Sequence, residues 1–293
     1  MRIFVTGASG WIGSAVVPEL ISAGHQVLAL ARSDASAQAV TDLGAEVLRG
    51  DLNDTDVLRA GALDSDGVIH LAFVVPSVTE AATRTDATAI QTFTTSLAGS
   101  GKPLIISGAT LVTPGRPATE RDELVPAGPI AARITNMRAA LAAADSGGRT
   151  CLVMLPRSVH GQGERHGFIP QLITAARAKG VCGYIGDGAS RWPAVHVKDA
   201  ARLYRLAIEQ APAGAVLNAV GDEGVPIREI AEAIGRHLNL TARSMPAEEF
   251  EGMFVRLLST DMPASSTITQ DLLSWKPTHP GLIEDIEQGH YFT

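Results

Sequence analysis

Cysteine is almost missing from the 293 residues: Cys151 and Cys182 are the only two. Two thiols cannot build a disulfide framework or a cysteine-based zinc site, so the composition points to a reducing, cytoplasmic setting. Lysine is scarce as well, present only at positions 102, 179, 198 and 276, and no basic cluster stands out from a formal net charge of −7. That balance argues against a nucleic-acid surface. Tyrosine occurs only at 184, 204 and 291, and none is followed four residues later by a lysine. No apolar run is long enough to span a bilayer. No targeting segment is expected, since a glycine-rich run begins at Gly7, where its apolar stretch would have to lie. There is no Gly-x-Ser-x-Gly nucleophile turn and no set of His, Cys, Asp and Glu at metal-ligand spacing, so no metal is expected.

What is present describes an α/β protein. Hydrophobic residues make up 45% and charged ones 19%, ordinary values for a globular domain. The length allows one large α/β domain, alone or with a smaller companion. Arg2 to Thr6 is short, β-branched and apolar, as a strand buried on both faces of a parallel sheet should be. Gly7, Gly10 and Gly13 follow at a spacing of three, and Trp11 to Ala23 then shows helical periodicity through Ile12, Val16, Leu20 and Ile21. Glycines at such a strand-to-helix turn let backbone approach a pyrophosphate, and the helix N-terminus offers it free N–H groups. Gly7, Ser9, Gly10, Trp11, Ile12 and Gly13 are therefore the expected contacts to a dinucleotide.

Gln26 to Ala31 is a second buried strand, ending in Arg32-Ser33-Asp34. A carboxylate at that point accepts from the 2′-OH of NAD, whereas an arginine suits the 2′-phosphate of NADP. Arg32 with Ser33 selects NADP, with NAD as the alternative, and Asp34 is placed as the N-cap of a helix over residues 35–43. A third strand at 46–48 ends near Asp51 and Leu52, at the edge where an adenine would lie. Further strands are expected at 67–72, 103–107 and 150–155, with helices at 79–97 and 130–144 between them. This alternation predicts a doubly wound parallel sheet of the Rossmann type. Beyond Pro156 frequent glycines suggest a smaller, irregular unit. It holds helices at 168–179, 199–210, 226–238, 246–258 and 281–289, and a strand at 215–220.

The chain resembles the extended and atypical short-chain dehydrogenase/reductase superfamily, which includes NAD(P)-dependent epimerases, dehydratases and hydroxysteroid dehydrogenases. The resemblance covers essentially the whole chain. It rests on Gly7-x-x-Gly10-x-x-Gly13, Gly50-Asp51-Leu52, His70-Leu71-Ala72, Ser107, Leu155 to Gly161, Gly186-Asp187-Gly188 and Val195 to Asp199. It implies a dinucleotide-binding domain over 1–155 and a mainly substrate-binding region over 156–293, with 195–220 returning to the first. It also implies cofactor contacts at Leu71, Ala72, Ser107 and Pro156, a small-molecule substrate, and a homodimer as the family expectation.

In the family a tyrosine and a lysine four residues later, on the helix after the fifth strand, handle the proton and hold the nicotinamide ribose. Here that helix reads Ala132-Arg133-Ile134-Thr135-Asn136-Met137-Arg138, with no tyrosine. The remaining candidates for the chemistry are Ser107, Thr110 and His160, the last because imidazole titrates near neutrality. Arg133 is a candidate cationic contact but no proton donor. His196 reads as structural. Arg191 and Trp192 fall where family members line the substrate pocket, and Trp192 suits a flat or apolar substrate. The expected activity is NADP-preferring hydride transfer to or from a carbonyl, imine or similarly activated carbon. The alternatives are a dinucleotide-binding sensor without turnover and an NAD-dependent epimerase or dehydratase.

Overall fold

A computed structural model describes residues 1–73, 79–250 and 252–293. In chain order the elements begin with β1 (Arg2–Thr6), α1 (Gly13–Ser22), β2 (Gln26–Ala31), α2 (Asp34–Asp42), β3 (Glu46–Arg49) and α3 (Thr55–Leu63). They continue with β4 (Gly67–His70), α4 (Glu80–Leu97), β5 (Pro103–Ala109), α5 (Ala131–Ala142), β6 (Arg149–Leu155) and β7 (Ser158–His160). Next come α6 (Phe168–Lys179), β8 (Cys182–Ile185), β9 (Arg191–His196), α7 (Val197–Gln210), β10 (Val216–Asn218) and β11 (Asp222–Pro226). The last are α8 (Ile227–Leu238), β12 (Ala242–Met245), α9 (Met253–Ser259), α10 (Thr267–Leu273) and α11 (Leu282–Glu287).

Seven strands form one sheet in the order β3-β2-β1-β4-β5-β6-β10, and every neighbouring pair is parallel. Alternation along β1 explains why both faces are covered. Ile3 and Val5 pack with Val16, Val17 and Leu20 of α1 and with Tyr204 and Ile208 of α7. Phe4 points the other way, into Leu58 of α3, Phe93 of α4 and Met137 of α5. The order in which strands are added reverses between β1 and β4, and in such a sheet the crevice beyond the strand C-termini at that switch point is where ligands bind.

Two smaller sheets, β11-β9-β7 and β12-β8, belong to the second unit. Its core gathers Trp192, Ile169, Ile173, Ile230 and Ile234, with Leu282 and Ile286 from α11. Although α7 and β10 come late in the chain, they pack on the main sheet: β10 extends it beside β6, and α7 lies against α1.

The Rossmann-type α/β architecture is as the sequence implies. Ser33, however, and not Asp34, caps α2, its hydroxyl accepting the Ser36 amide at 3.2 Å. Asp34 is instead the first helical residue, in a favourable place beside the positive helix end. Of the helix expected over 246–258 there is a short turn at Ala247–Glu249 and then α9, while residue 251 lies outside the described residues.

Candidate functional site

The glycine-rich turn joins β1 to α1. Gly7 has φ +72°, and a Cβ there would meet the Ala72 amide nitrogen at 2.7 Å. A Cβ on Gly13 would come within 2.2 Å of the Gly7 carbonyl oxygen, so no larger residue fits either place. The Gly10 amide donates to the Gly7 carbonyl at 3.0 Å and closes the turn. No side chain caps α1, and the amides of Trp11, Ile12 and Gly13 have no acceptor among the described residues. A tight turn whose open amides face outward from a positive helix end is a fitting cradle for a pyrophosphate. Trp11 pins the turn to the second unit, its indole N–H donating to the Val159 carbonyl at 2.7 Å.

At the far end of the turn, Arg32 is exposed and has no ion pair among the described residues. Ser33 is occupied with its cap. Arg49, at the end of β3, meets the Asp34 carboxylate at 3.0 Å. That pairs the acid two positions beyond Arg32 in the chain, a contribution that sequence reading missed because Arg49 and Asp34 are fifteen apart and brought together only through strand pairing. Asp51 accepts the Asn53 amide at 2.7 Å in a local turn, and Leu52 packs into the sheet's core. Leu71 and Ala72, half-buried, are held by the Thr6 carbonyl and hydroxyl, at 3.1 and 3.3 Å.

Beyond β4 and β5 lies a buried polar network. His70 Nδ1 meets the Thr6 hydroxyl at 2.7 Å, and its Nε2 stands 3.4 Å from Asp86. Asn136 donates to the other Asp86 oxygen at 2.8 Å and to the Thr83 carbonyl at 3.0 Å. Burial works to raise the Asp86 pKa, but the hydrogen bond and charge of His70, then Asn136 and Arg133, hold it below the usual carboxylate range. Arg133 reaches from α5 to donate to the Ser107 carbonyl at 3.1 Å, with its guanidinium 3.8 Å from the centre of the Phe73 ring. Burial lowers its pKa. An arginine nonetheless stays charged near neutrality, and the Asp86 carboxylate favours that charge.

Ser107 is buried, its hydroxyl within 3.1 Å of the His70 carbonyl and 2.8 Å of the Tyr204 hydroxyl. Burial raises the Tyr204 pKa, so this phenol stays protonated. Thr110 is buried as well, with no partner for its hydroxyl among the described residues. His160 lies elsewhere. It is wholly inaccessible, its Nδ1 2.9 Å from Asp285, in a cluster with Glu164, Tyr291 and the His196 ring. Trp192 also has no exposure: its indole donates to the Leu257 carbonyl at 3.1 Å inside the smaller core. Arg191 is tied to Asp261 by three bonds, from its amide at 2.9 Å and its guanidinium at 2.9 and 2.8 Å. Pro156 is buried at the end of β6. The structure thus brings Ser107, Thr110 and Arg133 to one sheet edge and leaves His160 and Trp192 in cores. Arg157, which sequence reading passed over as part of a motif, is half-buried, and its guanidinium donates to the Met262 thioether. Burial, then the charge of Arg256, lowers its pKa to about 10.

The family model described as NAD dependent epimerase/dehydratase family matches residues 3–219. The chain belongs to this family. An uncharacterized protein of Schizosaccharomyces pombe is 43% identical over 298 residues, covering 100% of both chains. A Stigmatella aurantiaca 4-hydroxy-2-methyl-3-oxo-4-farnesyl-3,4-dihydroquinoline-1-oxide ketoreductase is 30% identical over 225 residues, 74% of this chain and 67% of the relative. Among solved structures, MoeE5 in complex with UDP-glucuronic acid and NAD has the same fold, with a TM-score of 0.78 at 24% identity over 98% of this chain and 96% of that one. Among the described residues no group of three or more His, Cys, Asp and Glu is placed to hold a metal ion, and no helix is long and apolar enough to cross a membrane.

Proposed function

We propose that this family member is an NADP-preferring oxidoreductase acting on a carbonyl group of a small molecule. The cofactor, when bound, gives or takes the hydride; the chain's residues bind, orient and polarise. The Gly7–Gly13 turn would receive the pyrophosphate. Arg32, with Arg49 neutralising Asp34, would receive the 2′-phosphate.

The observation that carries the reading is Arg133. Its charge stands at the edge formed by Ser107 and Phe73, on the helix where relatives of this fold are expected to keep their acid–base pair. A fixed cation there stabilises an oxygen that gains negative charge during reduction and disfavours a substrate that arrives as an iminium cation. Arg133 donates no proton near neutral pH, and the Ser107 hydroxyl is engaged with His70 and Tyr204. Water, directly or relayed through the Thr110 hydroxyl that has no partner among the described residues, supplies the proton to the alkoxide. The ketoreductase relative supports a ketone as the substrate class. The second reading, a dinucleotide sensor without turnover, is favoured by the same engagement of Ser107 and His160.

Fluorescence titration with NADPH and NADH, then a panel of ketones, imines and enones scored for NADPH consumption, tests the proposal. Tighter NADPH binding, with ketone-dependent consumption that falls about a hundredfold in Arg133→Met, is expected. Tight binding without consumption across the panel would establish the sensor.

A further inference from the structure

The core of the smaller unit is not filled. Helices α6, α8 and α9 and the β8–β12 pair enclose a cavity of about 710 Å³ that opens to solvent beside Ala178, Lys179 and Gly252. Ala176, Cys182, Ala231, Ile234, Met245 and Leu258 line its inner part, and all are buried. Protein interiors leave few voids larger than a water molecule, and an empty apolar hole forfeits dispersion contacts along its lining. Water is a poor filling, because each molecule needs two to four polar partners. Among the described lining residues the polar side-chain atoms are the Lys179 ammonium and the sulfurs of Cys182 and Met245. The volume lies within the roughly 300–1,000 Å³ of small-molecule sites.

Lys179 is the single charged residue among the described lining residues. Its ammonium donates to the Glu249 carbonyl and stands 5.6 Å above the Phe250 ring, with no carboxylate side chain paired to it among the described residues. An apolar pocket with a cation at its mouth that has no carboxylate partner among the described residues is complementary to a hydrocarbon chain that ends in an anion. We propose that this cavity binds a single-chain amphiphile, tail inside and carboxylate at Lys179.

The site is separate from the glycine-rich turn and from Arg133, none of whose residues line it, so it stands whether or not the oxidoreductase reading does. Helix α9 nevertheless links it to the substrate side. Leu258 lines the cavity, the Leu257 carbonyl holds Trp192, and Asp261 and Met262 just beyond hold Arg191 and Arg157.

Displacement of 1-anilinonaphthalene-8-sulfonate by dodecanoate, on the full chain, tests the proposal. One dodecanoate per chain is expected to displace the dye. Filling the cavity by Ala231→Phe, or by Ala175→Phe at a half-buried position that tolerates bulk better, should weaken dodecanoate at least about tenfold; a cooperative thermal melt identifies the folded variants. Lys179→Gln should weaken dodecanoate about fivefold and leave dodecanol unchanged, as befits an exposed ion pair. No displacement, undiminished affinity in both filled variants, or loss of the dye site as chains self-associate would overturn the cavity assignment. Equal losses for dodecanoate and dodecanol in Lys179→Gln would overturn the head-group assignment.

Discussion

Replacing Glu164 by Gln removes a carboxyl group that burial holds protonated well above its ordinary range. Glu164 lies in the loop between β7 and α6, where the Tyr291 hydroxyl donates to it at 2.8 Å and also lies 3.3 Å from Asp285. Burial raises its pKa from 4.5 to about 7; the Tyr291 hydrogen bond opposes this and the Asp285 charge adds to it. A rise of that size corresponds to about 3 kcal/mol of folding free energy. Below pH 4.5 both folded and unfolded chains are protonated and the group costs nothing. Between 4.5 and about 7 the unfolded chain ionises first, so the stability is progressively lost, and the loss is complete above about 7.

His196 has the opposite slope. Burial, then the charges of His160 and His279, lowers its pKa from 6.5 to about 4, so its stability contribution is lost as pH falls through that window. It is half-buried, so solvent screens part of the effect. The two slopes oppose each other between about pH 4.5 and 6.5, so the difference between variant and wild type is the readout. Urea unfolding across pH should show Glu164→Gln gaining over wild type by about 3 kcal/mol from below pH 4.5 to above about pH 7. A difference that does not change with pH would refute the reasoning.

Arg32→Ala should weaken NADPH about tenfold and leave NADH unchanged, since each exposed charge-assisted contact lies at the low end of about 1.5–3 kcal/mol; Arg49→Ala should do the same to a smaller degree, and full NADPH preference in Arg32→Ala would sink the assignment. His160→Ala takes from the buried Asp285 its shortest contact and leaves the Tyr291 hydroxyl at 3.3 Å and His290 at 3.7 Å, so urea midpoints should report a loss of up to about 3–5 kcal/mol, while turnover per folded molecule stays near wild type; normal stability with abolished turnover would restore His160 as a proton donor. Trp11→Phe removes the bond to Val159 and should cost about 1 kcal/mol.

Much of the large sheet could be read from the chain because each strand carries its own signal. Arg2–Thr6, Gln26–Ala31 and Phe168–Lys179 have the expected bounds, since apolar runs and helical periodicity are local properties. The short strands β7, β8, β11 and β12 have three to five residues each. Their sequences, SVH, CGYI, DEGVP and ARSM, mix polar, charged, glycine and proline residues, so no apolar run develops and tertiary packing decides. The site divides the same way. Gly7 and Gly13 are constrained by backbone within their own turn and its neighbour strand, so spacing alone points to them. The pairing of Arg49 with Asp34, and the link of His70 to Asp86 and Asn136, join different elements and have no periodic trace. His160 and Trp192 sit at motif positions suggestive of a cleft, yet their partners, Asp285 and Leu257, lie far along the chain and enclose them.

The cluster around His160 also bears on the order in which the molecule assembles. Its bonds to Asp285 and from Tyr291 to Glu164 join residues 125 and 127 positions apart, and Trp11 meets Val159 across 148. Contacts this distant carry a loop-closure cost and belong to the slow part of folding. The glycine turn, by contrast, closes on hydrogen bonds between near neighbours. During synthesis the turn and the first strands exist well before residues 285–291 emerge. Until those residues arrive, strand β7, which braces Trp11, lacks its far anchor.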